Sequence, residues 1–395
     1  MKLRKNLIRT ISAFSLSVIC FFLFLFFLYE KDNKYTDSCL QPISGILCPD
    51  EESLEKDIFY LTNQWQFYPD ASLTPRDFKQ GLPDMPMEFI TIGKYNDFSL
   101  GDRDRSPYGR ATYRMSVELP QKSRVYSLYL PEIFSSYRLY VNGTLLTSMG
   151  NPDSKDRKTG IQSVSFSARG SVEILIQAAN FSHYYSGMTY PPIFGLEKNI
   201  WRYQYTRLFL HNVVIILVFL LCLFSAYFFL KLWDKRAGTF SLMALLVTVY
   251  ISYPVFYTFF SPGNTVWYGL ELFTTYAIYF LYVYLQNTFL NCQARGYRIF
   301  SVFLLLFSAT AFLYGTFGSA LPAVHAAFPY AVTAVKILVS LYLAANVVYA
   351  AVCGENFSFF VPALTGIVCV SLWADRIFPL YEPKYGGFFP EYCSL

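Results

Sequence analysis

Apolar and polar positions divide this chain into three stretches. An apolar run from Ile11 to Tyr29 comes first, a polar stretch from Glu30 to about Arg207 follows, and long apolar runs separated by short loops fill the remainder. About 20 consecutive apolar residues suffice to cross a bilayer as a helix. On that basis we place spans at 207–230, 239–260, 266–287, 299–317, 327–352 and 357–377.

The middle stretch has a different period. Tyr113, Met115, Val117 and Leu119 interleave with Thr112, Arg114, Ser116 and Glu118, which predicts a strand with one wet face, ended by Pro120. Val125 to Leu130 and Tyr137 to Val141 predict two more strands. The latter meets Asn142-Gly143, residues that tolerate positive φ and so mark a tight hairpin, with Thr144 to Met149 returning. Val172, Ile174 and Ile176 alternate with Glu173, Leu175 and Gln177, while Val164 and Phe166 mark a further short strand. Short strands at this spacing predict an antiparallel sandwich. Helical signal is confined to about Asp50–Phe59, and Pro69, Pro75, Pro83 and Pro86 predict irregular connections. Asn142-Gly143-Thr144 and Asn180-Phe181-Ser182 match glycosylation sequons, which turn chemistry accounts for equally.

Charge sets the orientation. Lys2, Arg4, Lys5 and Arg9 precede a first run that is too long for a signal-peptide core and lacks a small-x-small cleavage site, so it reads as an uncleaved anchor with a cytoplasmic N-terminus. Lys231, Lys235, Arg236, Arg295 and Arg298 place the loops after the first and third later spans in the cytoplasm as well. The predicted organisation is therefore 1–31 as basic tail and transmembrane anchor, 32–200 as an extracellular domain, and 201–395 as a multi-span domain. Leu380 to Gly387 reads as an outside loop and Phe388 to Leu395 as the opening turn of a seventh span, which would make the chain a piece of a longer protein.

Composition agrees with a protein of the cell membrane whose first partner is the lipid bilayer. Hydrophobic residues make up 54% and charged residues 15%, against roughly 25% charged in soluble domains. The net charge of +5 is dispersed, with no basic stripe interleaved with aromatics, which excludes nucleic acid as a partner. Cys39 and Cys48, nine positions apart in the exported stretch, are either a small disulfide-closed loop or two free thiols. No Cys-x-x-Cys pair or Cys/His cluster has metal-ligand spacing, so no metal and no cofactor is expected.

One string of residues resembles a known family. Tyr108-Gly109-Arg110-Ala111-Thr112-Tyr113-Arg114, Glu118-Leu119-Pro120, Leu128-x-Leu130 and Tyr137-Arg138-Leu139-Tyr140-Val141-Asn142-Gly143 with Gly150 resemble the jelly-roll domain of bacterial sensors. They also resemble the sugar-binding sandwich of family 2 glycoside hydrolases. Trp65-Gln66-Phe67-Tyr68, Asn180-Phe181-Ser182-His183, Gly187 and Gly195 fit the same pattern. With the spans, the chain is similar to bacterial seven-transmembrane receptors with diverse intracellular signalling modules over about residues 60–395. The resemblance implies an extracellular galactose-binding-like jelly roll, an α-helical seven-transmembrane bundle and a histidine kinase or diguanylate cyclase downstream. This chain departs there, having three histidines (His183, His211 and His325) and no phosphoacceptor or ATP-binding motif, so no enzyme activity is expected of it.

Two groups of residues are candidates for function. Asn180, His183, Tyr184, Tyr185 and Tyr190 form the densest polar and aromatic cluster, suited to an extracellular small molecule or glycan, or else to an aromatic belt at the membrane surface. Within the spans, His211, Glu271, Lys336, Asp375, Arg376 and Glu391 all fall toward the outer side. A charge in hydrocarbon costs at least roughly 2.5 kcal/mol, so the deeper ones should pair. Glu271 with Lys336 is the pair expected, coupling the outer domain to the bundle; snorkelling is the alternative for His211, Arg376 and Glu391. Trp201, Tyr203 and Tyr205 beside Arg202 suit the headgroup zone. The function expected is transmembrane signal reception. An anchored carbohydrate-binding protein is the alternative, and a transporter component is disfavoured by the lack of internal repeats and of a charged midplane site. Whether the chain forms a homodimer stays open.

Overall fold

The computed structural model describes residues 2–384 apart from 38–39, 82–84, 94–97, 99–107, 132, 154–159, 182–186, 254, 257–263, 291–295, 319–320 and 356. Two compact units are present, one built on Asp32–Leu208 and the other on Met1–Lys31, Phe209–Val255 and Asn264 onward. The expected start of a seventh span, from Phe388, lies outside the described residues.

The first unit is a β-sandwich. Its strands are β1 (Ile46–Leu47), β2 (Ile58–Tyr60), β3 (Trp65–Pro69), β4 (Glu88–Ile90), β5 (Gly109–Glu118), β6 (Arg124–Leu130), β7 (Ser136–Val141), β8 (Thr144–Met149), β9 (Gln162–Ala168), β10 (Ser171–Asn180) and β11 (Ile193–Leu196). The larger sheet runs β4-β3-β5-β10-β7-β8, with β1 beside β5, and the smaller runs β2-β11-β6-β9. β5 is the hub: β10 pairs along its whole length, while β3 and the parallel β1 share its other edge end to end. One core fills the space between the sheets. Tyr113, Met115 and Val117 of β5, Leu139 and Val141 of β7, and Val172, Ile174 and Ile176 of β10 meet Tyr126, Leu128 and Leu130 of β6 and Phe194 of β11. These are the positions that the two-residue period turns inward.

Local signals decide the connections. Asn142 and Gly143 both have positive φ, and the Asn142 side chain accepts the Glu173 N–H at 2.8 Å, so this sequon asparagine is spent on holding the hairpin. Helix α2 (Glu51–Lys56) starts on Asp50, which accepts the Ser53 N–H at 3.0 Å. It is shorter than the helical signal from Asp50 to Phe59, because Ile58–Tyr60 pairs with β11 instead and Phe59 enters the core. Helix α3 (Pro75–Gln80) carries a capping box of Thr74 and Asp77. It belongs to a strap over the outer face of the larger sheet, where Thr112 donates to the Ala71 carbonyl and Gln177 to that of Leu73.

The second unit is helical. It contains α1 (Lys2–Lys31), most of α4 (Glu197–Leu232), α5 (Lys235–Ile251), α6 (Asn264–Leu290), α7 (Tyr297–Phe317), α8 (Pro322–Val352) and α9 (Phe360–Ile377). Among the described residues, five helical segments are long and apolar enough to cross a membrane, namely Asn6–Lys31, Glu197–Leu232, Tyr297–Phe317, Ala327–Val352 and Phe360–Ile377, which is consistent with a membrane location. The expected span 239–260 falls on α5 as far as Ile251, with 254 and 257–260 outside the described residues, and the expected span 266–287 falls on α6. The first has 17 residues, and the second, though 27 long, is diluted by Glu271, Gln286, Asn287 and several tyrosines and threonines.

Glycines set the closest helix approaches. A Cβ on Gly315 of α7 would lie 2.6 Å from the Gly269 Cα of α6, and one on Gly366 of α9 would lie 2.8 Å from the Phe14 carbonyl oxygen of α1. Such small-residue contacts let apolar helices associate without a hydrophobic driving force. Helix α1 therefore does more than tether the chain. It packs along α9 and α8, with Leu25 buried among Val370, Ala374 and Phe378.

Candidate functional site

The end of the sandwich and the start of α4 form a continuous joint. β11 ends at Leu196 and α4 begins at Glu197, so the last strand passes into a 36-residue helix without a linker. Within the sandwich unit, the first turns of α4 are fastened on one side. Ile200 and Tyr203 are buried with Tyr60, Tyr129 and Ile193 against the smaller sheet. The Asn199 amide donates to the Leu54, Glu55 and Asp57 carbonyls at 3.4, 3.1 and 3.4 Å, closing the C-terminal end of α2. Lys198 pairs with Glu55 at 2.6 Å, and Arg124 of β6 holds both Glu55 and Glu51. The Lys198 hydrogen bond, helped by the charges of Lys198 and Arg124, holds the Glu55 carboxyl below its ordinary range. Gln204 adds a hydrogen bond to Ser163 of β9 at 2.9 Å. Of the three aromatics assigned to the headgroup zone, Tyr203 is thus a core residue, whereas Trp201 and Tyr205 stack on each other and stay exposed.

Two polar layers lie among the apolar helices. In the first, the Lys336 ammonium of α8 donates to both carboxylate oxygens of Asp375 on α9, each at 2.7 Å. The partner of Lys336 is Asp375, where the sequence suggested Glu271; α8 and α9 are neighbours, and their facing positions put these two together. Arg376 reaches Thr333 at 3.4 Å and Trp373 donates to Ser340 at 3.0 Å across the same seam. His211 is buried on α4, and Glu271 is half-buried on α6, its carbonyl accepting from Thr274 and Thr275; both side chains' residues are engaged by neighbours. Glu391 lies outside the described residues.

The second layer had no place in the sequence reading. Buried Gln286 and Asn287 of α6, Asn346 of α8 and Thr365 of α9 form one network with half-buried Tyr342 of α8. Gln286 donates to the Leu343 carbonyl and to Thr365, both at 3.0 Å, and accepts from Asn346 at 3.1 Å. Asn287 accepts from Tyr342 at 2.9 Å and from Asn346 at 3.2 Å. Its sequence signal is three carboxamides, Gln286, Asn287 and Asn346, within apolar runs, and none of them is ionisable.

The proposed ligand cluster is only partly placed. His183, Tyr184 and Tyr185 lie outside the described residues. Asn180 is buried at the end of β10 opposite Gly109, and the Tyr190 ring sits 5.7 Å from that of Phe134. The Gly187 N–H donates to Ser135 at 2.8 Å, and the Tyr35 hydroxyl donates to the Thr189 carbonyl. Of the two cysteines read as either a bridge or two free thiols, Cys39 is not among the described residues, and Cys48 carries an exposed free thiol. Arg114 lies on the outer strand face, as read, but in a built cluster. It pairs with Glu173 at 2.7 Å, donates to Gln66 at 3.0 Å and stands 4.7 Å over the Phe78 ring of α3. No group of side chains suited to a metal ion occurs among the described residues.

No family model matches the chain, and no curated protein matches it. Solved structures give slight likenesses. A Faecalibacterium prausnitzii beta-glucuronidase is similar at 14% identity and a TM-score of 0.27, over 35% of this chain and 31% of that one. A Ruminococcus gnavus beta-glucuronidase is similar at 16% identity and a TM-score of 0.26, over 35% and 28%. A GH2 beta-galacturonidase from Eisenbergiella tayi bound to galacturonate is similar at 11% identity and a TM-score of 0.25, over 35% and 24%. The chain spans less than a third of the length of each, and likenesses this slight carry no reading of activity.

Proposed function

We propose that the chain is the sensing part of a bacterial multi-pass membrane receptor. In this reading residues 32–200 are extracellular, the N-terminus is cytoplasmic, and the sandwich binds a small molecule of carbohydrate type. The bundle passes the event to a cytoplasmic output module of the kind found in seven-transmembrane receptors with diverse intracellular signalling modules. The observation that carries the reading is α4, one helix clamped to the sandwich over its first turns and apolar from there on. At 1.5 Å per residue it is roughly 54 Å long, more than the roughly 30 Å of a hydrocarbon core. Movement of the smaller sheet therefore has a stiff path toward the membrane. A ligand shifts such a system only by binding its two arrangements unequally. The polar layers of α6, α8 and α9 supply contacts that two helix arrangements could satisfy differently.

The test uses the full chain in lipid nanodiscs, with spin labels at exposed Tyr349 and Phe360 on α8 and α9. A panel of soluble mono- and disaccharides is added. A sugar that raises the melting temperature of the sandwich should also change the label distance, and a Gly-Gly insertion after Leu208 should abolish the change. Stabilisation without any distance change would favour the anchored carbohydrate-binding protein. No response to any sugar would reject the carbohydrate class, and failure to insert into the bilayer would reject the membrane reading.

A further inference from the structure

The turn between α4 and α5, Lys231-Leu232-Trp233-Asp234-Lys235-Arg236, is built at a cost that the protein's own packing does not explain. Trp233 has φ +54, the left-handed region that bulky residues avoid, and its side chain is 78% exposed. Its ring approaches that of Phe229, one turn back on α4, edge-on at 6.1 Å. A glycine would hold the same backbone without strain.

What surrounds the indole explains its presence. Lys231, Lys235 and Arg236 flank it, against the single carboxylate of Asp234, which caps α5 by accepting the Arg236 N–H at 2.9 Å. Arg236 is fixed against the end of α6, donating to the Thr288 carbonyl at 3.3 Å with its guanidinium 5.3 Å over the Phe289 ring. Lys231 donates to the Tyr227 hydroxyl at 3.0 Å, and Lys235 is exposed. The remaining exposed neighbours are apolar, Leu230 at 70% and Leu232 at 63%.

We propose that this turn binds the headgroup of an anionic phospholipid, a conclusion that rests on the membrane reading above. The cations match a phosphate diester, the indole sits at headgroup depth, and the two leucines face acyl chain. A free phosphate would satisfy the cations and leave Trp233, Leu230 and Leu232 in water, so the lipid is the occupant that all the residues fit.

The full-length chain in detergent is mixed with equal amounts of phosphatidylglycerol and phosphatidylcholine, and retained lipids are counted by native mass spectrometry. Wild type should retain phosphatidylglycerol preferentially. Each cation near an anionic surface contributes enough for a roughly fivefold effect, so Lys235→Gln with Arg236→Gln should reduce the preference roughly 25-fold. Trp233→Gly relieves the left-handed residue and keeps the fold, so its melting temperature should hold or rise while lipid retention falls. Equal retention of the two lipids, or a preference unchanged in the double variant, overturns the proposal. So does full displacement of phosphatidylglycerol by millimolar inorganic phosphate. A chain that stays dispersed without detergent or lipid overturns the membrane reading instead.

Discussion

Removing the carboxylate of Asp375 should be far more damaging than removing the ammonium of Lys336, although the two form one pair. The Lys336 side chain is only 8% exposed, whereas that of Asp375 is 40% exposed and lies two residues from the end of α9. Asp375→Asn leaves a buried ammonium without its counter-charge. The lenient insertion scale sets that cost at about 2.5 kcal/mol, and broken buried pairs in proteins reach about 5 kcal/mol. We expect about 3 kcal/mol for Asp375→Asn, between those bounds. Lys336→Met removes the buried charge and leaves a carboxylate near the helix end, so its cost should be about 1 kcal/mol, similar to an ordinary point substitution. The double variant strands neither charge and should also cost about 1 kcal/mol, giving a coupling of about 3 kcal/mol in a double-mutant cycle. Reversible unfolding in mixed micelles, followed by circular dichroism, measures all four corners. Equal single-variant costs that simply add would refute both the asymmetry and the pair. Exchanging the two charges should recover part of the coupling, because the seam of α8 and α9 is unchanged.

Three further outcomes follow from the same structure. Gln286→Leu removes two donated hydrogen bonds and one accepted from the α6–α8–α9 network, and should destabilise the helical unit by about 1–2 kcal/mol in the same unfolding assay. Gly366→Val should push α1 off α9, since even one added carbon would meet the Phe14 carbonyl. Disulfide formation between Leu25→Cys and Ala374→Cys should then fall sharply relative to the Gly366 background. For the sandwich, Glu55 has a depressed carboxyl owing first to its Lys198 hydrogen bond. A depressed acid stabilises the fold above its unfolded-state pKa and loses that contribution as pH falls through the folded value. The melting temperature should therefore drop on acidification below about pH 4. Glu55→Gln should flatten that limb only in part, because Asp50, bonded to Ser53, and Asp77, bonded to Thr74, are depressed as well.

The sandwich was legible in the sequence where one face of a strand is wet. Tyr113, Met115 and Val117 alternate with polar partners, and the Asn142-Gly143 turn has at both positions the positive φ that those residue types tolerate. Strands buried or paired over two to five residues, β1 to β4 and β11, were not legible, because so short a run shows no period. Tyr203 looked like its neighbours Trp201 and Tyr205 because composition cannot tell which side of a helix meets a sheet. The partner of Lys336 was missed for a related reason: Glu271 and Asp375 are equally plausible by depth, and only the packing of α8 on α9 separates them. The packing of α1 on α9 was not legible either, because Gly366 has no meaning until α1 is seen against it.

The uninterrupted passage from β11 into α4 also limits how the sandwich can be exchanged for another. A flexible tether would accept any donor domain of suitable size. A helix adds about 100° of rotation per residue, so a foreign sandwich joined one residue out of step would point everything beyond the graft in a new direction. Chimeras on this scaffold should work only at junction lengths that restore the angular phase, in steps of about seven residues or two turns. Under the receptor function proposed above, signal strength plotted against junction length should therefore oscillate, where a tethered domain would give a plateau.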